Sequence, residues 1–162
     1  MEKIKLKLID FYNLDVELNG LVNQQTGEKI SSGLLGEKLP LVTKYWLSDL
    51  HKKVSAEKVI IDELKNDLIK KYGTLDEATG NISIPMVIDE LDKKGKPIMV
   101  KAEDGTEVTK RKLNPTFQEF EKEFNELLQT EKEIEYQAFK LEEFKNVEAS
   151  ENYTIFYSFI TI

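Results

Sequence analysis

The segment from Pro40 to Gly73, PLVTKYWLSDLHKKVSAEKVIIDELKNDLIKKYG, constrains the fold more than any other. Leu41, Tyr45, Leu50, Val54, Ile61, Leu64 and Leu68 recur at helical spacing and predict an apolar stripe on a long helix over about 40–72. Proline suits its first turn, where the missing N–H is not needed. Lys70 and Lys71 fall in the last turn, where the helix dipole favours cations. Gly73 stands where left-handed backbone commonly closes a helix. Thirty residues of helix span about 45 Å at 1.5 Å each. Ser55 leaves open a break into two consecutive helices.

The remaining chain mixes strand and helix patterns. KIKLKLID at 3–10 alternates, with Ile4, Leu6 and Leu8 on one face, and reads as a half-buried strand guarded by lysines. In FYNLDVELNGLV the spacing of Leu14, Leu18 and Leu21 is helical, with Asp10 as a candidate cap. NQQTGEKISSGLLGEKL is rich in glycine and serine and reads as a loop. ISIPMVI and KPIMVKA are β-prone runs separated by DELDKKG, and they predict a hairpin within an insertion at 82–112. Asn114–Pro115 opens a second amphipathic helix over about 115–129, with Phe117, Phe120, Phe124, Leu127 and Leu128 on one face. EIEYQAF at 133–139 returns to alternation and reads as a strand. The final segment, SENYTIFYSFITI, has strand composition, yet Tyr153, Phe156, Tyr157 and Ile160 also have helical spacing behind Ser150. The expectation is one α+β domain over 1–162, with a small, mainly antiparallel sheet and a projecting hairpin.

Composition excludes several functional classes. With 40% hydrophobic and 33% charged residues the chain is globular rather than disordered. No run of eighteen apolar residues exists, so no membrane partner is expected. The N-terminus MEKIKLKLID lacks the apolar block of a signal peptide, and with no cysteine a cytosolic place of synthesis is expected. Of 30 acidic and 23 basic residues, 11 and 4 lie from Pro115 onward, which leaves 19 of each before it. The net charge of −7 therefore belongs to the last third. Phosphate recognition needs clustered Lys and Arg, and KRK at 110–112 is too short to make nucleic acid the main partner.

Candidate chemistry is sparse. DEATGN at 76–81 offers oxygens from Asp76, Glu77 and Asn81, but neither it nor DELDKKG has the alternation of an EF-hand loop. It reads as a connector, and no metal or other cofactor is expected. His51, the only histidine, follows Leu50 and precedes two lysines, and reads as an exposed side chain. No Gly-x-Ser-x-Gly elbow and no phosphate loop is present. Acid pairs such as Asp62–Glu63, Asp89–Glu90 and Glu142–Glu143 lack a recognisable apolar pocket to shift one pKa. An enzyme is not expected.

The order of motifs carries a resemblance. GEKLPLVTKYWLSDL leads into a long helix ending LIKKYG, then DEATGN, then FQEFEKEFNELLQTEKEIEYQAFKLEEFKNVE. This resembles a family of small, largely uncharacterised proteins of tailed bacteriophages and prophages, over most of residues 34–160. Two features depart from it: the insertion from Asp89 to Leu113 and the N-terminal strand. The resemblance implies a short helix at the end of the chain, brings no catalytic residue, and implies a phage origin.

Together these readings lead to an expected virion component from the head–tail connector or tail region, made in the host cytoplasm. It would act by contact with other phage structural proteins in a ring or other symmetric assembly. The alternative is a non-virion phage protein that assists assembly or binds and inhibits a host factor. Tyr45 and Trp46 point about 100° apart on a helix and cannot both face one narrow core. With Ile98, Met99, Phe156, Tyr157 and Phe159 they are the candidate interface residues.

Overall fold

The computed structural model describes residues 1–147 and 153–161. The elements run β1 (Glu2–Lys7), α1 (Leu8–Asn19), β2 (Leu21–Val22), β3 (Lys29–Ser31), α2 (Leu41–Tyr72), β4 (Thr74–Leu75), β5 (Ile82–Ser83), β6 (Val87–Asp89), β7 (Met99–Lys101), β8 (Glu107–Thr109), β9 (Arg111–Leu113), α3 (Pro115–Leu128), β10 (Glu131–Tyr136), β11 (Phe139–Lys140) and β12 (Ile160–Thr161). The fold is α+β. Its strands form separate two-stranded pairings, all antiparallel except β11 with β12, rather than one continuous sheet. The chain divides into two compact units. Unit 1 is Met1–Glu63 with Leu127–Ile162, and unit 2 is Leu64–Glu126.

Unit 1 holds the apolar core. β1 pairs with β10, Ile4 opposite Ile134, which puts Leu6, Ile134 and Tyr136 inside. On the outer face Lys3 bridges Glu133 at 2.9 Å and Glu135 at 3.3 Å. The strand expected over 3–10 ends at Lys7, because Leu8 already begins α1. Asp10 lies inside the first turn rather than before it, and its Oδ2 accepts the Lys7 N–H at 3.0 Å. Phe11, Leu14 and Leu18 then face the core at helical spacing. Leu21 leaves the helix for β2, and the stretch at 23–39 expected to be a loop contains the turn and the second strand, β3, of the β2–β3 hairpin. Gly20 and Gly33 both have positive φ and stand backbone to backbone. A Cβ on either would strike main-chain atoms of the other's loop.

Helix α2 is continuous through Ser55, so the break does not occur. Its buried positions are Thr43, Leu47, Leu50, Val54 and Ile61. Leu41, Tyr45 and Leu64 of the expected stripe are exposed instead. Tyr45 precedes Leu50 by five residues, about 140° around the helix, whereas Leu47 precedes it by three. The helix closes with the Gly73 N–H on Ile69 O at 2.7 Å. Gly73 does not have positive φ. Glycine is required there because a Cβ would strike Ile69 O and the Ile82 side chain.

The end of the chain satisfies neither single expectation. Phe156–Phe159 is one 3-10 turn, after which β12 pairs with β11. The candidate cap Ser150 lies outside the described residues. Phe156 and Phe159 are fully buried, which corrects their assignment as interface residues. Phe139, Phe144, Phe156, Phe159 and Tyr136 interlock with ring centroids 4.7–6.1 Å apart.

In unit 2 the last turns of α2 adjoin α3. Glu123 accepts from both Lys71 Nζ and Tyr72 Oη at 2.7 Å, and Lys65 Nζ lies 5.6 Å from the Phe124 ring centroid. Asn114 caps α3 through Thr116 N–H at 3.1 Å and donates to Pro85 O at 2.8 Å. β4 and β5 form a hairpin around DEATGN. The expected hairpin between ISIPMVI and KPIMVKA is replaced by a branched arrangement. β6 pairs with β9, β7 pairs with β8, and a single bridge, Leu91 with Pro97, joins KPIMVKA to the expected connector DELDKKG. The physical reason is that two tight turns compete for the same strands. Both form, one at Asp92–Gly95 and one at Ala102–Gly105, and each folds its own short arm.

Candidate functional site

Three places in the fold bring polar or apolar groups together. The first lies in unit 1 between α1 and α2. Asp15 Oδ1 sits 3.1 Å from His51 Nε2 and 3.4 Å from Ser55 Oγ, and Lys58 Nζ donates to Oδ2 at 2.7 Å. Ser55 Oγ is 3.3 Å from the same Nε2. His51 is thus half-buried among partners, not the exposed side chain its lysine neighbours suggest. Ser55 stands one helical turn after His51, and that spacing was the available signal. A Ser, a His and an Asp in contact invite comparison with a nucleophilic triad. There the imidazole uses one nitrogen for the hydroxyl and the other for the carboxylate. Here a single nitrogen faces both, and it cannot donate to Asp15 while accepting from Ser55. The cluster pins α1 to α2. Tyr12 adds to the pin, donating to Asp62 at 2.5 Å, and desolvation followed by the Asp62 hydrogen bond pushes its phenol well above the usual range.

The second place is a cleft of about 730 Å³ bounded by Asn13, Glu17, Leu21, Ile30, Tyr153 and Ile155. Glu17 is buried at its edge, and its two oxygens accept the N–H groups of Ile155 at 2.9 Å and Phe156 at 2.7 Å. This carboxylate caps the 3-10 turn and ties it to α1. Nothing in the local sequence announces the role, since the partners lie more than 130 residues apart.

The third place is the branched part of unit 2. Glu90 N–H donates to Lys110 O at 2.8 Å, Lys110 N–H to Ile98 O at 2.7 Å, and Ile98 N–H to Glu90 O at 2.9 Å. The three bonds close a triangle from which three arms leave: β6 with β9, the turn 91–97, and β7 with β8. Carboxylates fold the tips. Asp92 Oδ1 accepts from Lys94 N–H at 2.7 Å and Lys96 N–H at 3.0 Å, and Asp104 Oδ1 from Thr106 N–H at 3.0 Å. Asp76 does the same in the β4–β5 hairpin, taking Ala78 N–H at 2.9 Å and Thr79 N–H at 3.4 Å. Its carboxyl is held below the usual range chiefly by that Ala78 bond. The connector reading of DEATGN therefore has a backbone cause. Among the described residues no group of three or more His, Cys, Asp or Glu side chains converges to hold a metal.

Every buried hydrophobic residue among those described belongs to unit 1, while Phe117, Phe120 and Phe124 of unit 2 are half-buried. Leu75, Met86, Val87, Leu91, Met99, Val100, Val108 and Leu113 are all exposed. Of the candidate interface residues, Met99 lies on β7 in this surface and Ile98 is half-buried at the triangle. Tyr45 is exposed and packs edge-on against half-buried Trp46 at 5.0 Å. Tyr157 is exposed beside buried Phe156. The structure therefore spreads the sequence candidates over separate places and draws attention to apolar arm residues that the sequence reading left out.

Comparison with protein-family models, with curated proteins and with solved structures finds no match to this chain.

Proposed function

We propose that the chain is a non-enzymatic structural protein of a tailed-phage particle, in the head–tail connector or tail region, working by protein–protein contact. The observation that carries this reading is the absence of buried apolar side chains throughout unit 2, whose β-arms expose Val, Leu and Met residues. Two-stranded hairpins are only marginally stable alone in water and gain stability when an apolar face is covered. A unit built this way suits a role in which neighbouring chains supply the cover. The phage resemblance supplies the setting. In the His51 cluster one nitrogen faces both partners, which also favours a structural role over nucleophilic chemistry.

A non-virion role, in which the chain binds a host factor, is favoured by one observation: the −7 balance of residues 115–162 suits a basic partner surface. Mass spectrometry of purified particles separates the readings. Stoichiometric copies in the particle support the first, and complete absence removes it. A variant in which residues 90–110 are replaced by a two-residue turn joins the paired Asp89 and Arg111 directly. It is expected to keep unit 1 folded and to lose incorporation.

A further inference from the structure

The arm surface has an internal order that points to its occupant. Cross-strand partners share a face and alternate faces along a strand. Register therefore puts Val87 and Leu113 on one face with Asp89 and Arg111, and Leu91 follows by the same alternation. Ile88, Lys112, Glu90 and Lys110 take the opposite face, where Lys110 Nζ bridges Glu90 at 2.9 Å. Met99 continues the first face opposite Thr109. Val87, Leu91, Met99 and Leu113 are 43–55% exposed, together an apolar surface on the order of a few hundred Å².

Charge narrows the partner. Residues 86–114 hold 7 basic and 6 acidic residues, a balance of +1, so the rest of the chain carries −8. Residues 1–85 hold 12 basic and 13 acidic residues, so two copies repel mainly through residues 115–162 and meet at little net electrostatic cost through these arms. The charged pair on the apolar face is also self-complementary. Asp89 and Arg111 stand side by side across the ladder, with Arg111 Nε 3.6 Å from Asp89 Oδ1, and both are largely exposed. A two-fold axis between them sets Asp89 of one copy against Arg111 of the other, twice.

We infer that the Val87–Leu91–Met99–Leu113 face docks on the same face of a second copy of this chain, in an isologous pair locked by reciprocal Asp89–Arg111 contacts. The pair goes beyond the virion reading and does not depend on it. The face is small beside a stable permanent interface, so the association is weak and concentration-dependent.

Sedimentation equilibrium on the full chain, from micromolar to several hundred micromolar, tests this. The expected mass rises toward twice that of the monomer, and a monomer across the whole range overturns the proposal. Asp89→Arg alone and Arg111→Asp alone each set like charges across the axis and are expected to weaken the pair at least tenfold. Mixing the two variants restores an attractive pairing, and a 1:1 heterodimer tighter than either homodimer is the result required. If the mixture associates no better than its components, the two-fold contact is wrong. Both substitutions are at exposed positions, and circular dichroism that matches the parent chain confirms that each variant remains folded.

Discussion

In unit 1 Phe11, Leu14, Leu18, Leu47, Phe156 and Phe159 are sealed from water, whereas in unit 2 the only buried side chain is the polar Asn114. The two regions use similar elements, short antiparallel pairs beside helices, yet different forces hold them. Unit 1 gains from apolar burial, worth about 1.5–3 kcal/mol for each large side chain. Unit 2 relies on backbone pairing, on carboxylates that gather N–H groups at turn tips, and on the half-buried Phe117, Phe120 and Phe124 rings of α3. The contrast teaches that a regular β-register needs no core beneath it when turn chemistry is strong, but also that such a register leaves apolar side chains in water.

The largest effects expected break unit 1. Phe156→Ala should cost about 3–5 kcal/mol in urea denaturation, whereas Val100→Ala in unit 2 should stay within about 0.5 kcal/mol. A Val100→Ala cost above about 2 kcal/mol would mean that the surface is already covered in solution. Next in size is Glu17→Ala, which strips the acceptor from the Ile155 and Phe156 N–H groups. An expected cost of about 1–3 kcal/mol follows, read by the same denaturation.

Titration should separate the regions by sign. Carboxyls held low by hydrogen bonds include Asp76, Glu90, Asp104 and Glu123 in unit 2, against Glu133 in unit 1. A depressed folded pKa contributes stability that is present above the unfolded value near 4 and is lost as pH falls through the folded one. Amide protection in unit 2, corrected for intrinsic exchange, should therefore fall before that in unit 1 on acidification. Tyr12, Tyr136 and Tyr153 of unit 1 are all raised, with burial as the leading cause. A raised phenol contributes stability that is complete below about pH 10 and fades as pH climbs toward the folded value. Unit 1 should thus show alkaline loss, reduced in Tyr12→Phe. The smallest effect is expected for metal. Calcium or EDTA should shift the melting temperature by less than about 2 °C, since a native-state ligand would stabilise by mass action.

How much of this was readable from the chain follows the range of the interactions. The α3 start at Asn114–Pro115, the β10 alternation and the extent of α2 are local patterns, and the structure has them in place. The phase of α2 at Leu41 and Tyr45 was misread because tertiary partners such as α1, and not periodicity, select the inward face. The β2–β3 hairpin left a signal that glycine counting obscured. NQQTG at 23–27 and DEATG at 76–80 share a side-chain acceptor, threonine and glycine at the same places. Their hydrogen bonds coincide as well: Gly27 N–H meets Asn23 O and Gly80 N–H meets Asp76 O, each at 2.7 Å. At the candidate site the hairpin residues were legible as β-prone, but their pairing was not. Branching at Glu90, Ile98 and Lys110 is closed by main-chain bonds, and its side-chain contact, Lys110 with Glu90, joins residues twenty apart that no local pattern links.

That triangle has a consequence for variation. Because main-chain hydrogen bonds close the triangle of Glu90, Ile98 and Lys110, with one added side-chain bridge between Lys110 and Glu90, the junction's backbone pairing requires only that no corner be proline. The turn 91–97 and the β7–β8 arm can lengthen, shorten or exchange tips independently, each closing back on the same corner. Foreign peptides grafted at Lys93–Lys94 or Glu103–Asp104 would be displayed on a base that does not register their length, which makes the junction a natural socket for diversification.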